Sequence, residues 1–290
     1  MSRRGALLFA AMCVIWGIPY LMIRVAVREL APVSLVFLRT ALAALLLVPF
    51  AAQRGDLRPL LARWRPLLVY TFIEVALPWV LLARAETKLT SSLTGLLLAA
   101  VPLVGALVVT LSGERERLGG RRWIGLVVGL GGVAAIVGLD LGHVNAVALV
   151  EILLVAVCYA LGPIILARHL NRLPPLGVVA ASFALSAIAY APLAAVKWPP
   201  HWPSAHVVES VVGLAVVCSA LAFIVFLALI AEVGPVRATV ITYVNPAVAA
   251  VLGVALLSER LTAGMLLGFA LVLAGCFLAT GPGPEPVPEP

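Results

Sequence analysis

Charged residues are scarce in this sequence. They make up 11% of its 290 residues, whereas soluble domains carry about 25%. Residues with apolar side chains make up 63%, and the mean hydropathy is +1.14. A soluble core does not need so many apolar side chains, and a disordered chain has far fewer. The composition therefore excludes both classes and indicates an integral membrane protein.

Motifs of catalysis and metal binding are also missing. The sequence has no GxxxxGK[ST] phosphate loop, no HExxH and no GxSxG. Its 4 cysteines lie inside apolar runs without CxxC or Cys/His spacing, which is typical of packing residues. The net charge of +7 is spread over single or paired basic residues, with no basic stripe for nucleic acid. We therefore expect no enzyme, no cofactor, no metal and no nucleic-acid partner.

Long apolar runs fill most of the chain. A transmembrane helix needs about 20 apolar residues, and the runs bounded by charges, proline and glycine predict ten such helices. The predicted spans are residues 5–24, 32–51, 66–84, 90–112, 122–139, 147–167, 174–196, 207–230, 235–257 and 262–280. We expect the first span to be retained rather than cleaved as a signal peptide. The Pro- and Glu-rich residues 281–290 are predicted to be disordered.

Lys and Arg are distributed unevenly between the two sides of these spans. If the N-terminus is cytoplasmic, most loop Lys and Arg residues lie on the cytoplasmic side, as membrane proteins favour. Trp64 and Trp123 then lie at inner span ends, and Trp198 and Trp202 in an outer loop, as in aromatic belts. We expect a multi-pass protein of the inner (plasma) membrane with both termini in the cytoplasm.

The two halves of the sequence resemble each other at an offset of 143 or 144 residues, as for Pro32 and Pro175 (175 − 32 = 143). The other matches are Pro49 with Pro192, Pro19 with Pro163, Pro102 with Pro246, Glu116-Arg117-Leu118 with Glu259-Arg260-Leu261, and Gly125, Gly132 and Gly138 with Gly268, Gly275 and Gly281. Five spans in each half require the second half to cross the membrane in the opposite sense. We predict an all-α integral membrane fold of ten transmembrane helices, built as two five-helix inverted-topology repeats, residues 1–140 and 141–280, around a central cavity.

Several of these features resemble one transporter family. They are Trp16-Gly17, Arg39-Thr40-Ala41-Leu42-Ala43, the segment from Pro246 to Leu261 with its Ser-Glu-Arg-Leu ending, and the Gly-rich fifth and tenth spans. Together they are similar to the EamA-type drug/metabolite transporters, over residues 5–280. Within that superfamily the chain looks most similar to the YddG-type amino-acid exporters. The resemblance implies export of amino acids and related metabolites from a central cavity in a basket of ten helices.

Aromatic residues near the middle of the spans are candidates for the substrate site. Trp16 and its repeat counterpart Tyr159 are expected to meet near the midplane from opposite halves, and Tyr20 shares the helical face of Trp16. Trp79, which follows Pro78 in the third span, is a further aromatic candidate. The other interpretation of each is a buried packing residue.

Polar residues within the spans are the second group of candidates. Thr94 lies in the fourth span, and Thr242, Tyr243 and Asn245 lie in the ninth. Such groups need partners in hydrocarbon, and these partners are either neighbouring helices or a ligand with its waters.

Glu74 and Arg39 are the ionisable residues that lie well inside the predicted spans. Glu74 lies four residues before Pro78 on the same helical face, where it could bind a substrate ammonium, carry a coupling proton or hydrogen-bond to another helix. We expect Arg39 to snorkel outward or to pair with a carboxylate in the bundle.

This set of residues favours a small neutral or zwitterionic substrate, since a phosphorylated one would need several deep Lys or Arg residues. We predict a monomeric secondary transporter that exports amino acids, aromatic and other apolar ones above all, by alternating access. The alternative is a proton-coupled exporter of cationic or lipophilic drugs, because aromatic faces and one carboxylate also suit organic cations. An intramembrane enzyme, or a scaffold or receptor subunit without transport, would not explain the matched prolines.

Overall fold

The computed structural model describes residues 2–111, 120–138 and 145–280, and the regular elements in these ranges are all helical. The first half contains α1 (Arg3–Ile15), α2 (Pro19–Ala26), α3 (Pro32–Gln53), α4 (Trp64–Tyr70), α5 (Leu77–Ala85), α6 (Ser91–Leu98), α7 (Val101–Leu111) and α8 (Gly120–Gly138). The second half contains α9 (Ala146–Ile165), α10 (Pro175–Val196), α11 (Ala205–Ala215), α12 (Ala222–Val233), α13 (Pro235–Ala238), α14 (Ile241–Leu257) and α15 (Ala263–Thr280). The all-α prediction is confirmed for these residues.

Many helical segments are long and apolar enough to cross a membrane. Within the described ranges there are 8: Arg3–Ala26, Pro32–Gln53, Arg58–Ala85, Ser91–Val108, Gly120–Gly138, Ala146–Leu170, Pro175–Val196 and Ala205–Val233. Two shorter apolar helices follow, Ile241–Leu257 and Ala263–Ala279. The chain is therefore a multi-pass membrane protein. The ninth predicted span is divided between α13 and α14.

Other predicted spans contain interruptions that hydropathy does not report. The first is broken after α1, at Trp16 to Ile18, before Pro19, which has no backbone N–H to continue the helix. The fourth is broken at Ala99 and Ala100, between α6 and α7. The third begins earlier than residue 66, with a 3₁₀ segment at Arg58–Arg63. Apolar runs predict that a segment spans the membrane, but not where its helix turns.

Three π-helical segments widen the helices: Thr71–Ala76 between α4 and α5, Leu166–Leu170 after α9, and Val216–Leu221 between α11 and α12. Near the first of them, Pro78 cannot donate to the Glu74 carbonyl, which frees that group from the regular helix pattern. The Tyr190 hydroxyl donates to another carbonyl of this segment, that of Ala76, at 3.0 Å. Single-turn π segments are frequent at functional sites.

The closest helix contacts join residues 2–138 with residues 145–280. The main pairs are α8 with α15, α3 with α10, α6 with α14, α5 with α9, α2 with α11, and α1 with α12. Glycines bring α8 and α15 together: a Cβ on Gly132 would lie 2.6 Å from the Val272 nitrogen, and one on Gly275 would lie 2.5 Å from the Gly129 Cα. These small residues are therefore used for packing within one chain.

Helices α3 and α10 have matching bounds and matching faces. Each has 22 residues and a proline in its first turn. Leu45 of α3 is 70% exposed, and Ile188 of α10, at the 143-residue offset (188 − 45), is 71% exposed, as expected for lipid-facing side chains. Of the other sequence matches, Glu116-Arg117-Leu118 and Gly281 lie outside the described residues, as does the predicted tail at 281–290.

Candidate functional site

Aromatic rings from four helical segments form a connected group in the interior. The Trp79 ring lies 5.5 Å from that of Phe183, which lies 5.7 Å from Phe223. Phe223 in turn lies 5.8 Å from Trp16, whose ring is also 4.7 Å from Phe226. The structure thus links the predicted residues Trp16 and Trp79 through Phe183 and Phe223. The sequence analysis did not single out these two phenylalanines, because a Phe in an apolar run gives no signal of its own.

Arg39 is buried within the bundle beside this aromatic group. It is 6% exposed, and its Nε donates to the Ser219 hydroxyl at 2.9 Å. Its Cζ lies 3.6 Å from the centroid of the Trp79 ring, in a cation–π contact. Ser219 itself donates to the Leu214 carbonyl at 2.8 Å. The expectation that Arg39 snorkels or pairs with a carboxylate is therefore wrong within the described residues: a serine and an indole hold it instead.

Glu74 lies in the first π segment and faces α9. Its Oε2 is buried and has no hydrogen-bond partner among the described residues. A Cβ added to Gly162 would overlap the Glu74 carboxylate, so the absence of a side chain at Gly162 makes room for this group. Pro78, four residues later, is buried in α5. A buried carboxylate oxygen without a partner is costly, which marks Glu74 as a functional candidate.

Two tyrosines lie around these charges. Tyr159 is within electrostatic range of both Arg39 and Glu74, and Tyr20 is within range of Arg39. Both rings pack against the large apolar core, and Tyr159 also contacts the core cluster that contains Trp79. The predicted residues Tyr20, Glu74, Trp79 and Tyr159 therefore lie in one interior region together with Arg39.

The predicted polar residues of α6 and α14 have helix partners instead. The Thr94 hydroxyl donates to the Thr90 carbonyl at 2.9 Å, and the Thr242 hydroxyl donates to the Thr239 carbonyl at 2.8 Å. With its amide oriented to satisfy its neighbours, Asn245 donates to the carbonyls of Ile241, at 3.0 Å, and Cys13, at 3.1 Å. Asn245 therefore joins α14 to α1.

Tyr243, a residue of α14, is partly buried and packs against the large apolar core. The structure thus places the hydroxyls of Thr94 and Thr242 and the amide of Asn245 in contacts between or within helices. None of these contacts joins them to Glu74 or Arg39.

One end of the bundle has a carboxylate whose hydrogen bonds are satisfied, which we call the Glu259 clamp: Glu259, Ser91 and Ser92. The backbone N–H groups of Ser91 and Ser92 donate to the Glu259 carboxylate at 2.8 and 2.9 Å. Both hydroxyls also donate to it, that of Ser92 at 2.6 Å and that of Ser91 at 3.1 Å. Glu259 thus caps the N-terminus of α6, where a negative charge is favoured.

Other contacts at this Glu259 end also join the two halves. Arg84 donates to Glu151 at 2.7 Å, and the Ser34 hydroxyl donates to the Lys197 carbonyl at 3.0 Å. The Ser204 hydroxyl and backbone N–H both donate to the exposed Glu29, at 2.6 and 2.7 Å. These two hydrogen bonds lower the Glu29 pKa.

Glu86, just after α5, is a buried acid that the sequence analysis missed. It is 0% exposed, and neither carboxylate oxygen has a hydrogen-bond partner among the described residues. Burial raises its pKa well above the usual value, an effect that Arg24 opposes and Glu259 strengthens. Arg24 donates to the Glu86 backbone carbonyl. In the sequence, Glu86 lies between Arg84 and Lys88, a pattern typical of a solvated loop.

Two apolar grooves lie at the periphery of the bundle. One is lined by residues of α3 and α11 with Trp198 and Trp202, and the other by residues of α3, α4 and α10 with Trp64. No predicted site residue lines either groove. Among the described residues, no group of three His, Cys, Asp or Glu side chains could hold a metal ion.

Comparisons with known proteins agree with this architecture. The model of the EamA-like transporter family matches residues 3–138 and again residues 146–281. YedA, an uncharacterized inner membrane transporter of Escherichia coli strain K12, is 29% identical over 278 residues, which cover 93% of this chain and 88% of YedA. YvbV, an uncharacterized transporter of Bacillus subtilis strain 168, is 25% identical over 286 residues, with 96% and 92% covered. A crystal structure with 20% sequence identity has a TM-score of 0.65 over 97% of both chains and thus shares the fold.

Proposed function

Because this chain belongs to the EamA-like transporter family, we propose that it is a secondary transporter that exports small neutral or zwitterionic metabolites by alternating access. The favoured substrates are amino acids with aromatic or other apolar side chains. The observation that carries this proposal is the interior region in which the uncompensated Glu74 lies with Arg39, Trp79 and two tyrosines. Charged groups without partners inside a membrane protein mark a substrate or ion pathway.

Alternating access is supported by the pattern of helix pairs. A pseudo-two-fold axis that exchanges the first and sixth spans also exchanges the third and eighth. Under this axis, the contact between the first and eighth spans is equivalent to the contact between the sixth and third spans. The first of these contacts is made by α1 with α12 and by α2 with α11, and the second by α9 with α5. The second and seventh, fourth and ninth, and fifth and tenth spans are paired with each other, as that axis requires. The double match of the family model is consistent with the same two repeats.

The π segments follow the same relation. Thr71–Ala76 in the third span and Val216–Leu221 in the eighth lie 145 residues apart (216 − 71). At this offset, which is one or two residues longer than that of the sequence matches, Ser219 corresponds to Glu74 (219 − 74 = 145). Glu74 thus belongs to one π segment, and Arg39 of α3 donates to a serine of the other. In this proposal the two five-helix repeats, residues 1–140 and 141–280, move relative to each other around these segments.

The proposed site consists of the interior aromatic and charged residues, with the α6 and α14 polar residues around it. Its members are Trp16, Tyr20, Glu74, Pro78, Trp79, Thr94, Tyr159, Thr242, Tyr243 and Asn245. The proposed orientation puts both termini and most loop Lys and Arg residues in the cytoplasm of a cell with this protein in its inner membrane. A monomer is supported by the glycines of α8 and α15, which already pack against each other within the chain.

A second function, proton-coupled export of cationic or lipophilic drugs, has one specific observation in its favour. The buried Oε2 of Glu74 beside Tyr159 and Trp79 would also suit an organic cation or a coupling proton. The buried Arg39 opposes this function, because a cationic substrate in the same region would be repelled by it.

Flux into proteoliposomes of purified protein separates the two functions. Labelled phenylalanine, labelled threonine and a quaternary ammonium dye are compared with and without an imposed pH gradient. We expect phenylalanine flux that needs no proton gradient and that falls in Glu74→Gln. Dye flux that requires the gradient and is lost in Glu74→Gln, with no amino-acid flux, would establish the drug exporter instead. Glu209→Gln, which removes an exposed carboxylate, is the matched control.

A further inference from the structure

Arg39 is a buried cation whose hydrogen-bonding capacity is mostly unused. A guanidinium has five N–H donors in a planar fork. In Arg39, the Nε–H donates to Ser219, and the face of the group lies on Trp79. The two terminal amino groups donate to no side chain or carbonyl among the described residues. The edge that remains is the one formed by Nη1 and Nη2, which binds a carboxylate through two parallel hydrogen bonds.

The orientation of this edge is fixed from two sides. Ser219 is held by its own hydrogen bond to the Leu214 carbonyl, five residues earlier in the π segment region. Trp79 is buried and packed against Phe183. A guanidinium held at Nε and at one face loses little further freedom when a ligand binds to its outer edge.

Glu74 and Arg39 do not form an ion pair with each other among the described residues. Tyr159 lies within electrostatic range of both, and the other polar groups within range of Arg39 are Tyr20 and Cys218. Arg39 and Glu74 therefore each lack a partner of opposite charge among the described residues, and a buried ionisable group without such a partner keeps the cost of its desolvation. A ligand with a negative and a positive group would satisfy both at once.

We propose that Arg39 binds the carboxylate of the substrate while Glu74 binds its ammonium group, so that the interior site selects zwitterions. This inference rests on the proposed transport of amino acids and names the two groups that recognise them. It makes Arg39 a specificity-determining residue, whereas the sequence alone favoured a structural role for it. The apolar side chain of the substrate would then lie among the aromatic rings.

The test uses three substrates that differ only in their charged groups: phenylalanine, phenethylamine (no carboxylate) and 3-phenylpropanoate (no ammonium). Flux of each is measured in proteoliposomes with wild-type protein, Arg39→Gln and Glu74→Gln. We expect Arg39→Gln to reduce phenylalanine flux at least about tenfold and to leave phenethylamine flux unchanged or increased. We expect Glu74→Gln to reduce phenylalanine flux to a similar extent and to leave 3-phenylpropanoate flux unchanged or increased.

Arg39→Lys keeps the charge but loses the planar fork, and we expect it to restore only part of the phenylalanine flux. Ser219→Ala is the matched control for positioning, because it frees Nε but keeps the cation; it should weaken phenylalanine flux less than Arg39→Gln does. An equal loss of flux for all three substrates in Arg39→Gln would overturn the inference, since it would indicate a structural role.

A second measurement uses only the wild-type protein and therefore does not depend on the folding of any variant. Phenethylamine and 3-phenylpropanoate compete with labelled phenylalanine, and we expect each to compete at least about tenfold more weakly than unlabelled phenylalanine. Equal competition by phenethylamine would overturn the role of Arg39 while amino-acid transport itself remained established. If the wild-type protein transports no phenylalanine, the proposed function fails, and the inference fails with it.

Discussion

Two glutamates of this bundle have opposite surroundings. Glu259, at one end, accepts hydrogen bonds from the backbone and the hydroxyl groups of both Ser91 and Ser92. Glu74, in the interior, has a buried oxygen without a partner among the described residues. A carboxylate with satisfied hydrogen bonds stabilises the helices it joins, whereas an unsatisfied one costs stability and is retained for another reason.

The same contrast exists between two arginines. Arg84 forms a 2.7 Å ion pair with Glu151 at the Glu259 end. Arg39 is far more buried, and its partners among the described residues are a serine and an indole. Among the described residues, the Glu259 end thus has an ion pair and a capped carboxylate that join the two halves, whereas Arg39 and Glu74 in the interior have no charged partner. This difference predicts which substitutions change stability and which change transport.

The largest expected effect on stability is that of Glu259→Ala. It leaves two backbone N–H groups and two hydroxyls at the α6 N-terminus without their acceptor, so we expect a loss of about 2–4 kcal/mol in unfolding free energy. Thermal unfolding in detergent is the measurement.

The control for this variant is Glu232→Ala at the opposite end, where an exposed glutamate accepts one hydrogen bond from the Ser2 hydroxyl. Its effect should be within about 0.5 kcal/mol. Equal effects of the two substitutions would show that the Glu259 clamp does not hold α6.

Glu74→Gln, unlike Glu259→Ala, should reduce transport without reducing stability. Because it replaces a buried, unsatisfied acid by a neutral amide of the same shape, we expect unfolding free energy to stay the same or to rise by about 1 kcal/mol. Phenylalanine flux should fall at least about tenfold. Both quantities are measured on one preparation. A loss of stability as large as that of Glu259→Ala would mean that Glu74 belongs to the structural part of the bundle.

Much of the fold was predictable from the sequence because membrane insertion depends on composition. Apolar runs bounded by charges predicted the helical class, and the prolines at residues 32 and 175 marked the beginnings of α3 and α10. The break at Ala99 was not predicted, because it lies inside a continuous apolar run. Whether such a run turns depends on packing against other helices, which hydropathy does not contain.

The site was less predictable than the fold, because the same type of polar residue can have its hydrogen bonds satisfied by helices or left unsatisfied. Thr94 and Asn245 looked like ligand groups by the same criteria as Glu74, yet their hydrogen bonds are made to helices. Arg39 looked structural because its partners, Ser219 and Trp79, are distant in the sequence. Glu86 looked solvated because its neighbours in the sequence are charged. Only the packing of the chain distinguishes a satisfied polar group from an unsatisfied one.

Glu86 makes the comparison sharper, because it lies near Glu259 but lacks hydrogen-bond partners for its carboxylate. Its folded pKa is raised by burial above the ordinary 4.5. Its protonated form is therefore favoured by folding, and stability should decline as the pH rises above 4.5 towards the folded pKa. Glu86→Gln should remove this decline, so that the variant is more stable than the wild type near neutral pH but not below pH 4.5. The measurement is thermal unfolding of the wild type and Glu86→Gln from acid to neutral pH, with Glu209→Gln as control. A stability difference between wild type and Glu86→Gln that stays constant across that range would contradict this prediction.

The smallest expected effect is at Glu29, whose surroundings are the reverse of those of Glu86. Glu29 is exposed, and hydrogen bonds from the Ser204 hydroxyl and backbone N–H lower its pKa. Its charged form is thus favoured by folding, so this contact stabilises the protein at neutral pH and is lost as the pH falls through the lowered pKa. Ser204→Ala should reduce the thermal unfolding temperature slightly at neutral pH, and the difference should vanish in acid. If the difference instead grows in acid, the Glu29 carboxylate is not the acceptor that matters, and the two halves are held at this end by the other described contacts, such as the Glu259 clamp and the Arg84–Glu151 pair.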